Sequence, residues 1–245
     1  MSEIKIGKYT VSKNQIGRGA FSTIYKGFDK ETGKEFAIKE VSFAGKKKIE
    51  ENVKKELNIM KRLNNPYIVK IHDYFFDNQN KLIYIVLDYY KNGDLSKFLK
   101  GKVLKEVFAK KYISQIKEGL EYLYKNNIMH RDLKPHNILI DDNLDIKISD
   151  FGFARYVKDD TLINTLCGSP MYMAPEIMKH KKYNNKSDLW SIGIIMYEIL
   201  YGILPYKAKN FIELIKNINS KKIDYSANNI EISGDGLDLL QKLLQ

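Results

Sequence analysis

The sequence predicts an α+β protein of two lobes: a small antiparallel-sheet lobe with one main helix, then a larger, mostly helical lobe. Three observations predict it. Through roughly the first 90 residues, apolar positions tend to alternate with polar ones, the period of half-buried strands. From about residue 104 onward they recur every three to four residues, the period of helices. Between the two regimes lies KNGDL (91–95), a turn-rich break.

Taken in order, YTVSKNQIG (9–17), STIYKGF (22–28) and KEFAIKEV (34–41) read as strands, with DKETG (29–33) as the turn between the second and third. A helix follows over about 49–63, with Ile49, Val53, Leu57 and Met60 on one stripe. Two more strands fall near 67–75 and 81–88. Beyond the break, 104–126 carries Leu104, Val107, Phe108, Ile113, Ile116, Leu120 and Leu123 at helical spacing. NILI (137–140) and DIKI (145–148) are short strands, and helices fill 187–203 and about 209–219. The simplest layout is one domain over 9–245, with a sheet lobe (9–87), a hinge (88–92) and a helical lobe (93–245). A ligand cleft is expected between the lobes.

Bulk composition narrows the function. A hydrophobic content of 44% over 245 residues suffices for a real core. The single cysteine, Cys167, excludes an intramolecular disulfide, and MSEIKIGKYT holds no signal-length apolar run. The most apolar stretch, 189–206, contains Glu198 and Pro205 and reads as a buried core helix, so no transmembrane segment and a cytoplasmic location are expected. The net charge of +11 invites a nucleic-acid reading, but only 4 of the 41 basic residues are arginine and they are scattered, so no specific nucleic-acid partner is expected. GKKKIEENVKKE (45–56) interleaves glutamates at helical spacing and reads as a solvated helix face rather than an anion-binding patch.

Chemistry concentrates in MHRDLKPHNILI (129–140), where Arg131, Asp132, Lys134 and Asn137 crowd between apolar runs. Such a cluster costs free energy unless something large and charged binds among it. IGRGAFSTI (16–24) sets two glycines in a turn between strands, either a plain hairpin or a loop whose N–H groups meet phosphate oxygens. Lys39, on the apolar strand FAIK, either snorkels to the surface or meets an anion, and Glu56 on the following helix is a partner to hold it.

With ISDFGFAR (148–155) and SPMYMAPEI (169–177) added, the chain resembles a eukaryotic Ser/Thr protein kinase, because glycine loop, strand lysine, HRDLKPxN, DFG and APE occur in the family's order. The resemblance implies the bilobal protein-kinase fold, ATP and Mg²⁺ as cofactors, and protein hydroxyls as acceptors. Asp132 would orient the substrate hydroxyl and accept its proton, and Lys134 would neutralise the moving phosphate. Asn137 and Asp150 would ligate Mg²⁺. Lys39, fixed by Glu56, would hold the α- and β-phosphates under a cover made by Gly17, Arg18, Gly19, Ala20, Phe21, Ser22 and Thr23. Ile16, Ile24, Ala37 and Leu139 would sandwich adenine, Leu87 would guard the rear pocket, and the backbone from Asp88 to Tyr90 would bond the base. Asp94 would reach the ribose or simply cap a helix.

The resemblance also implies regulation. Arg131 would bind a phosphate on the activation segment (150–176), with Thr165 the leading position beside Thr161, Ser169 and Tyr156; Ser169 matches a structural hydroxyl touching the catalytic loop. An upstream kinase or trans-autophosphorylation would supply that phosphate. TLCGSPMYMAPEIM and DFGFAR are similar to the autophagy-initiating, ULK-like group, as is Ser22 in place of a third glycine. Phe153 after DFG implies a preference for serine over threonine, and His136 argues against a demand for upstream arginine. A tyrosine-directed kinase is disfavoured by the DLKPxN form of the loop. The alternative is a kinase-like ATP-binding scaffold with weak or no transfer, against which Lys39, Asp132 and Asp150 stand together. Kinases of this family continue past GDGLDLLQKLLQ (234–245) into a last helix whose arginine pairs the APE glutamate. Here no arginine follows Arg155, so the last helix is expected to be missing, whether by truncation or natural shortening, unless a lysine substitutes. A buried, partnerless Glu176 would cost several kcal/mol.

Overall fold

A computed structural model of the chain describes residues 4–19, 22–43, 47–151, 155–156, 169–179 and 184–245. Two units divide the chain, Met1–Lys91 and Asn92–Gln245.

Alternating strands build the first unit. β1 (Ile4–Ile6), β2 (Tyr9–Arg18), β3 (Ser22–Asp29) and β4 (Glu35–Ser42) are followed by helix α1 (Lys47–Met60), β5 (Ile71–Asp77) and β6 (Leu82–Asp88). They form one antiparallel sheet in the order β1-β2-β3-β4-β6-β5. The pleat gives the sheet two faces. One buries Ile6, Tyr9, Val11, Phe36, Ile38, Tyr84 and Val86. The other joins Val41, Ile83 and Ile85 to Val53 and Leu57 of α1. The turn after β3 is held by Asp29, whose carboxylate takes the N–H groups of Glu31 and Thr32 at 2.9 and 3.2 Å.

Two differences from the sequence reading have local causes. β1, unforeseen, joins the sheet through a turn at Gly7 (φ +56°), and three residues are too few to display a period. The strand expected at 67–75 begins only at Ile71. Asn65 takes the N–H of Tyr67 on its side chain (2.8 Å) and that of Ile68 on its carbonyl (3.2 Å), winding 65–68 into a turn although Ile68 and Val69 are buried.

The second unit opens with α2 (Leu95–Leu99) and α3 (Glu106–Lys125), then β7 (Ile128–Met129), a 3-10 turn at Pro135–Asn137, β8 (Ile138–Ile140) and β9 (Ile146–Ile148). β8 and β9 pair as a hairpin, and β7 pairs with β10 (Arg155–Tyr156). A 3-10 turn at Pro170–Tyr172, α4 (Pro175–Met178), α5 (Lys186–Tyr201), α6 (Phe211–Ser220) and α7 (Gly234–Leu243) complete it. α5 is buried on almost every side, from Ser187 through Tyr201, and packs against α3 and α7. Its apolar run is therefore a core helix, and no helix among the described residues is long and apolar enough to cross a membrane.

Candidate active site

The loop after β7 is held by its own histidine and by two neighbouring elements. His130 is fully buried; its Nδ1 lies 3.3 Å from the Asp132 N–H and accepts from it. The proton therefore sits on Nε2, which donates to the Ser149 carbonyl at 2.9 Å. Phe151 packs edge-on against the same ring, 5.2 Å between centroids. Arg131 adopts φ +67°, and its N–H reaches Asp188 Oδ1 at the start of α5 (3.3 Å). The Tyr124 hydroxyl, from α3, meets the other oxygen of Asp188 at 3.1 Å. Burial pushes the Asp188 carboxyl up from the usual range, and the nearby His130 ring, the Tyr124 hydroxyl and the Arg131 and His130 N–H groups oppose that rise.

Asp132, whose side chain is only 3% exposed, has both oxygens engaged. Oδ2 accepts from Lys134 Nζ at 2.8 Å and from Asn137 Nδ2 at 3.1 Å, and Oδ1 accepts from the Ser169 hydroxyl at 2.9 Å. Ser169 in turn accepts from Lys134 at 2.6 Å. A buried carboxylate is thus neutralised by a neighbouring ammonium, which removes most of the cost noted for the sequence. One oxygen faces a serine hydroxyl at the distance a proton acceptor needs.

Asn137 Nδ2 also donates to the Asp132 carbonyl at 2.8 Å. Facing two acceptors, that end of the amide must be the NH₂, which turns its oxygen the other way. Asp150 is exposed at φ +61° and is followed by Phe151, which is 1% exposed. Left-handed backbone at a non-glycine residue is strained, and such strain gathers at functional sites. An amide oxygen and a carboxylate are hard donors of the kind Mg²⁺ takes, so both residues fit that ion.

The predicted nucleotide residues of the first unit share one side of its sheet. Ile24 pairs with Lys39 and Lys39 with Ile85, while Ala37 pairs with Leu87. Ile24, Ala37, Lys39 and Leu87 therefore point to the face that α1 covers, each half-buried. Ile16, Gly17 and Arg18 lie on β2, and Ser22 and Thr23 on β3; Gly17 faces Ile24 in register. Gly19 closes its turn by donating to the Ser22 carbonyl (2.8 Å), and a Cβ there would stand 2.7 Å from Ser22 Oγ. Asp88 directs its side chain to His72 (2.7 Å) and Lys34 (3.5 Å). Burial pushes the Asp88 carboxyl up, but these two partners outweigh it and leave it below the ordinary range. Tyr90 follows β6, half-buried. Glu56 sits on α1, but its side chain lies outside the described residues, as do Ala20, Phe21 and Thr165.

In the second unit Asp94 caps α2, accepting the Lys97 N–H at 2.9 Å and meeting Lys97 Nζ at 3.3 Å. Leu139 lies on β8, opposite Lys147 and bridged to Asp94. Glu176 is half-buried and has a partner after all, the Ser187 hydroxyl at 2.6 Å. Ser187→Ala is expected to lower the unfolding free energy by about 1–3 kcal/mol, read as a lower urea midpoint, because Glu176 would lose this donor.

Tyr124, Ser149 and Asp188 escaped the sequence reading. A carboxylate at the head of the most apolar stretch of the chain (189–206) was the available signal for Asp188.

Comparison with known proteins follows the same line. The model of the protein kinase domain family matches residues 10–245. Serine/threonine-protein kinase ATG1c of Arabidopsis thaliana is 41% identical over 98% of this chain and 33% of its own length. Serine/threonine-protein kinase atg1 of Dictyostelium discoideum is 40% identical over 98% of the chain and 37% of its own. Serine/threonine-protein kinase ULK3 of Rattus norvegicus is 37% identical over 94% of the chain and 50% of its own. The chain thus spans a third to a half of the length of these three curated relatives. With HRDLKPxN, DFG and APE in place and its catalytic-loop carboxylate engaged as described, the chain belongs to the protein kinase family, with ATG1 and ULK serine/threonine-protein kinases among its relatives.

Proposed function

We propose that the chain transfers the γ-phosphoryl group of ATP to serine and threonine hydroxyls of protein substrates. The observation that carries this reading is the cluster around Asp132, in which one carboxylate oxygen already accepts a serine hydroxyl and the other is held by Lys134 and Asn137. A substrate hydroxyl taking the place of Ser169 would be oriented by Asp132 and yield its proton there, while Lys134 would balance charge on the departing phosphoryl group. Asn137 and Asp150 would hold Mg²⁺, which when bound neutralises phosphate oxygens. Lys39, steadied by Glu56, would bind the α- and β-phosphates, and the backbone of 17–23 would cover them. Ile16, Ile24, Ala37, Leu87 and Leu139 would enclose adenine, the Asp88–Tyr90 backbone would bond its edge, and Asp94 would add ribose contact to its capping role. A phosphate on Thr165, placed by an upstream kinase or in trans, would pair with Arg131 and order the activation segment. We further assign it a cytoplasmic location and a preference for serine over threonine.

The test is initial-rate transfer of labelled phosphate from Mg·ATP to a serine-rich protein, beside Lys39→Met. Wild type is expected to transfer and the variant to lose about 100-fold or more, since one preorganised phosphate contact is removed. Equal rates in both, or no transfer by a wild type that binds Mg·ATP and carries phosphate on Thr165, would sink the reading and favour the scaffold.

A further inference from the structure

We infer that Tyr124 is a positioning residue for phosphoryl transfer, acting through Asp188 on the Arg131–Asp132 peptide; the inference rests on the kinase reading above. The Tyr124 hydroxyl lies 3.1 Å from Asp188 Oδ2 and equally 3.1 Å from the Asn185 carbonyl oxygen. It has one proton and can donate to only one of them at a time. Donating to Asp188, it supports the ionised carboxylate, whose Oδ1 accepts the Arg131 N–H at 3.3 Å. Donating to Asn185, it presents its own oxygen to Asp188, an arrangement matched to a protonated carboxyl.

The difference matters because Arg131 sits at φ +67°, a conformation that non-glycine residues adopt only when their surroundings impose it. The bond to Asp188 is one such constraint, and Asp132 is the next residue. An ionised acceptor holds an N–H about twice as strongly as a neutral one. Asp188 is 2% exposed, and burial alone drives it toward the neutral form. Facing it are Tyr124 from α3 and His130 and Arg131 from the loop, while Asp132 and Tyr172 line the small void beside it. Both ring nitrogens of His130 are already committed, to the Ser149 carbonyl and the Asp132 N–H, whereas the Tyr124 hydroxyl has two acceptors within reach, so its proton is the adjustable member of the set.

Tyr124→Phe keeps the ring and removes that proton. Its kcat is expected to fall about tenfold with KM for ATP unchanged, since the nucleotide contacts are untouched. The acid limb of its kcat–pH profile should shift to higher pH, because Asp188 without the hydroxyl takes up a proton more readily. Its Arg131 amide should exchange faster by NMR, a reading independent of activity. A pH profile and Arg131 exchange equal to wild type would overturn the inference. Should the variant not fold, wild type supplies the test. Its Arg131 protection, corrected for intrinsic exchange, must drop on acidification through a titration that the middle of α3 does not share, and a flat profile would refute the linkage. An inactive wild type would remove the kinase reading, and Arg131 exchange would still decide whether Tyr124 controls that peptide.

Discussion

Asp132→Asn should lower phosphate transfer about 10³-fold while leaving the chain folded. The substitution is nearly isosteric, and the surrounding donors dictate how the new amide sits. Oδ2 takes two donors, Lys134 and Asn137, so the amide oxygen must stay on that side. The NH₂ then replaces Oδ1 and faces Ser169, whose hydroxyl can turn from donor to acceptor because it already accepts from Lys134. The network therefore survives with one reversal. The negative charge does not, and the half-buried Lys134 is left beside a neutral partner. A hydroxyl at this position then meets a donor instead of a proton acceptor. The measurement is initial-rate transfer beside a melting curve and an ATP-binding isotherm. Folding and nucleotide affinity should stay near wild type, because the amide keeps the size and shape of the carboxylate and its hydrogen-bond partners Lys134, Asn137 and Ser169 remain engaged. Transfer at the wild-type rate would mean that the proton goes elsewhere.

How legible the site is depends on how local its parts are. Asp132, Lys134 and Asn137 fall within one short stretch, and their crowding between apolar runs was enough to mark it as the place where chemistry concentrates, although internal pairing answers most of its cost. The groups that hold them are distant in sequence: Asp188 lies 57 residues from the Arg131 N–H it binds, and Ser169 lies 37 from Asp132. Periodicity reports which face a side chain takes, not which distant group it meets. The case of Glu176 shows the same limit. A cation was sought in the last helix, whereas the donor is a hydroxyl eleven residues away on α5.

The sheet was legible in a different way. Alternation placed β2, β3, β4 and β6 within a residue or so of their observed ends. It could not give register, and register is what sets Ile24, Lys39 and Ile85 side by side on the face under α1. Short elements such as β1 and α2 lack the two full periods needed to be seen at all. Fold class survives these losses because it rests on long segments, and site geometry does not because it rests on pairs.

Gly27 exposes the remaining gap, and Gly27→Ala should lower the unfolding free energy of the chain by about 1–3 kcal/mol. A glycine inside an alternating strand signals close approach of something to the backbone, although the sequence does not say of what. Here it sits opposite Val11 on β2 and Phe36 on β4. A Cβ would stand 2.7 Å from Ile38 Cγ1 and 2.9 Å from the Thr10 carbonyl oxygen. Neither neighbour has an easy retreat. Ile38 is 0% exposed within the core of Ile6, Tyr9, Val11 and Phe36, and the Thr10 carbonyl belongs to the β2–β3 pairing, where Thr10 faces Phe28. The added methyl must therefore push β2 away from β3 or drive Ile38 from its rotamer. The first route would disturb the turn carrying Gly17 and Gly19, so ATP affinity should weaken together with the urea midpoint. The second would lower the midpoint alone. An unchanged midpoint would mean that this face of the sheet is packed more loosely than a fully buried Ile38 implies.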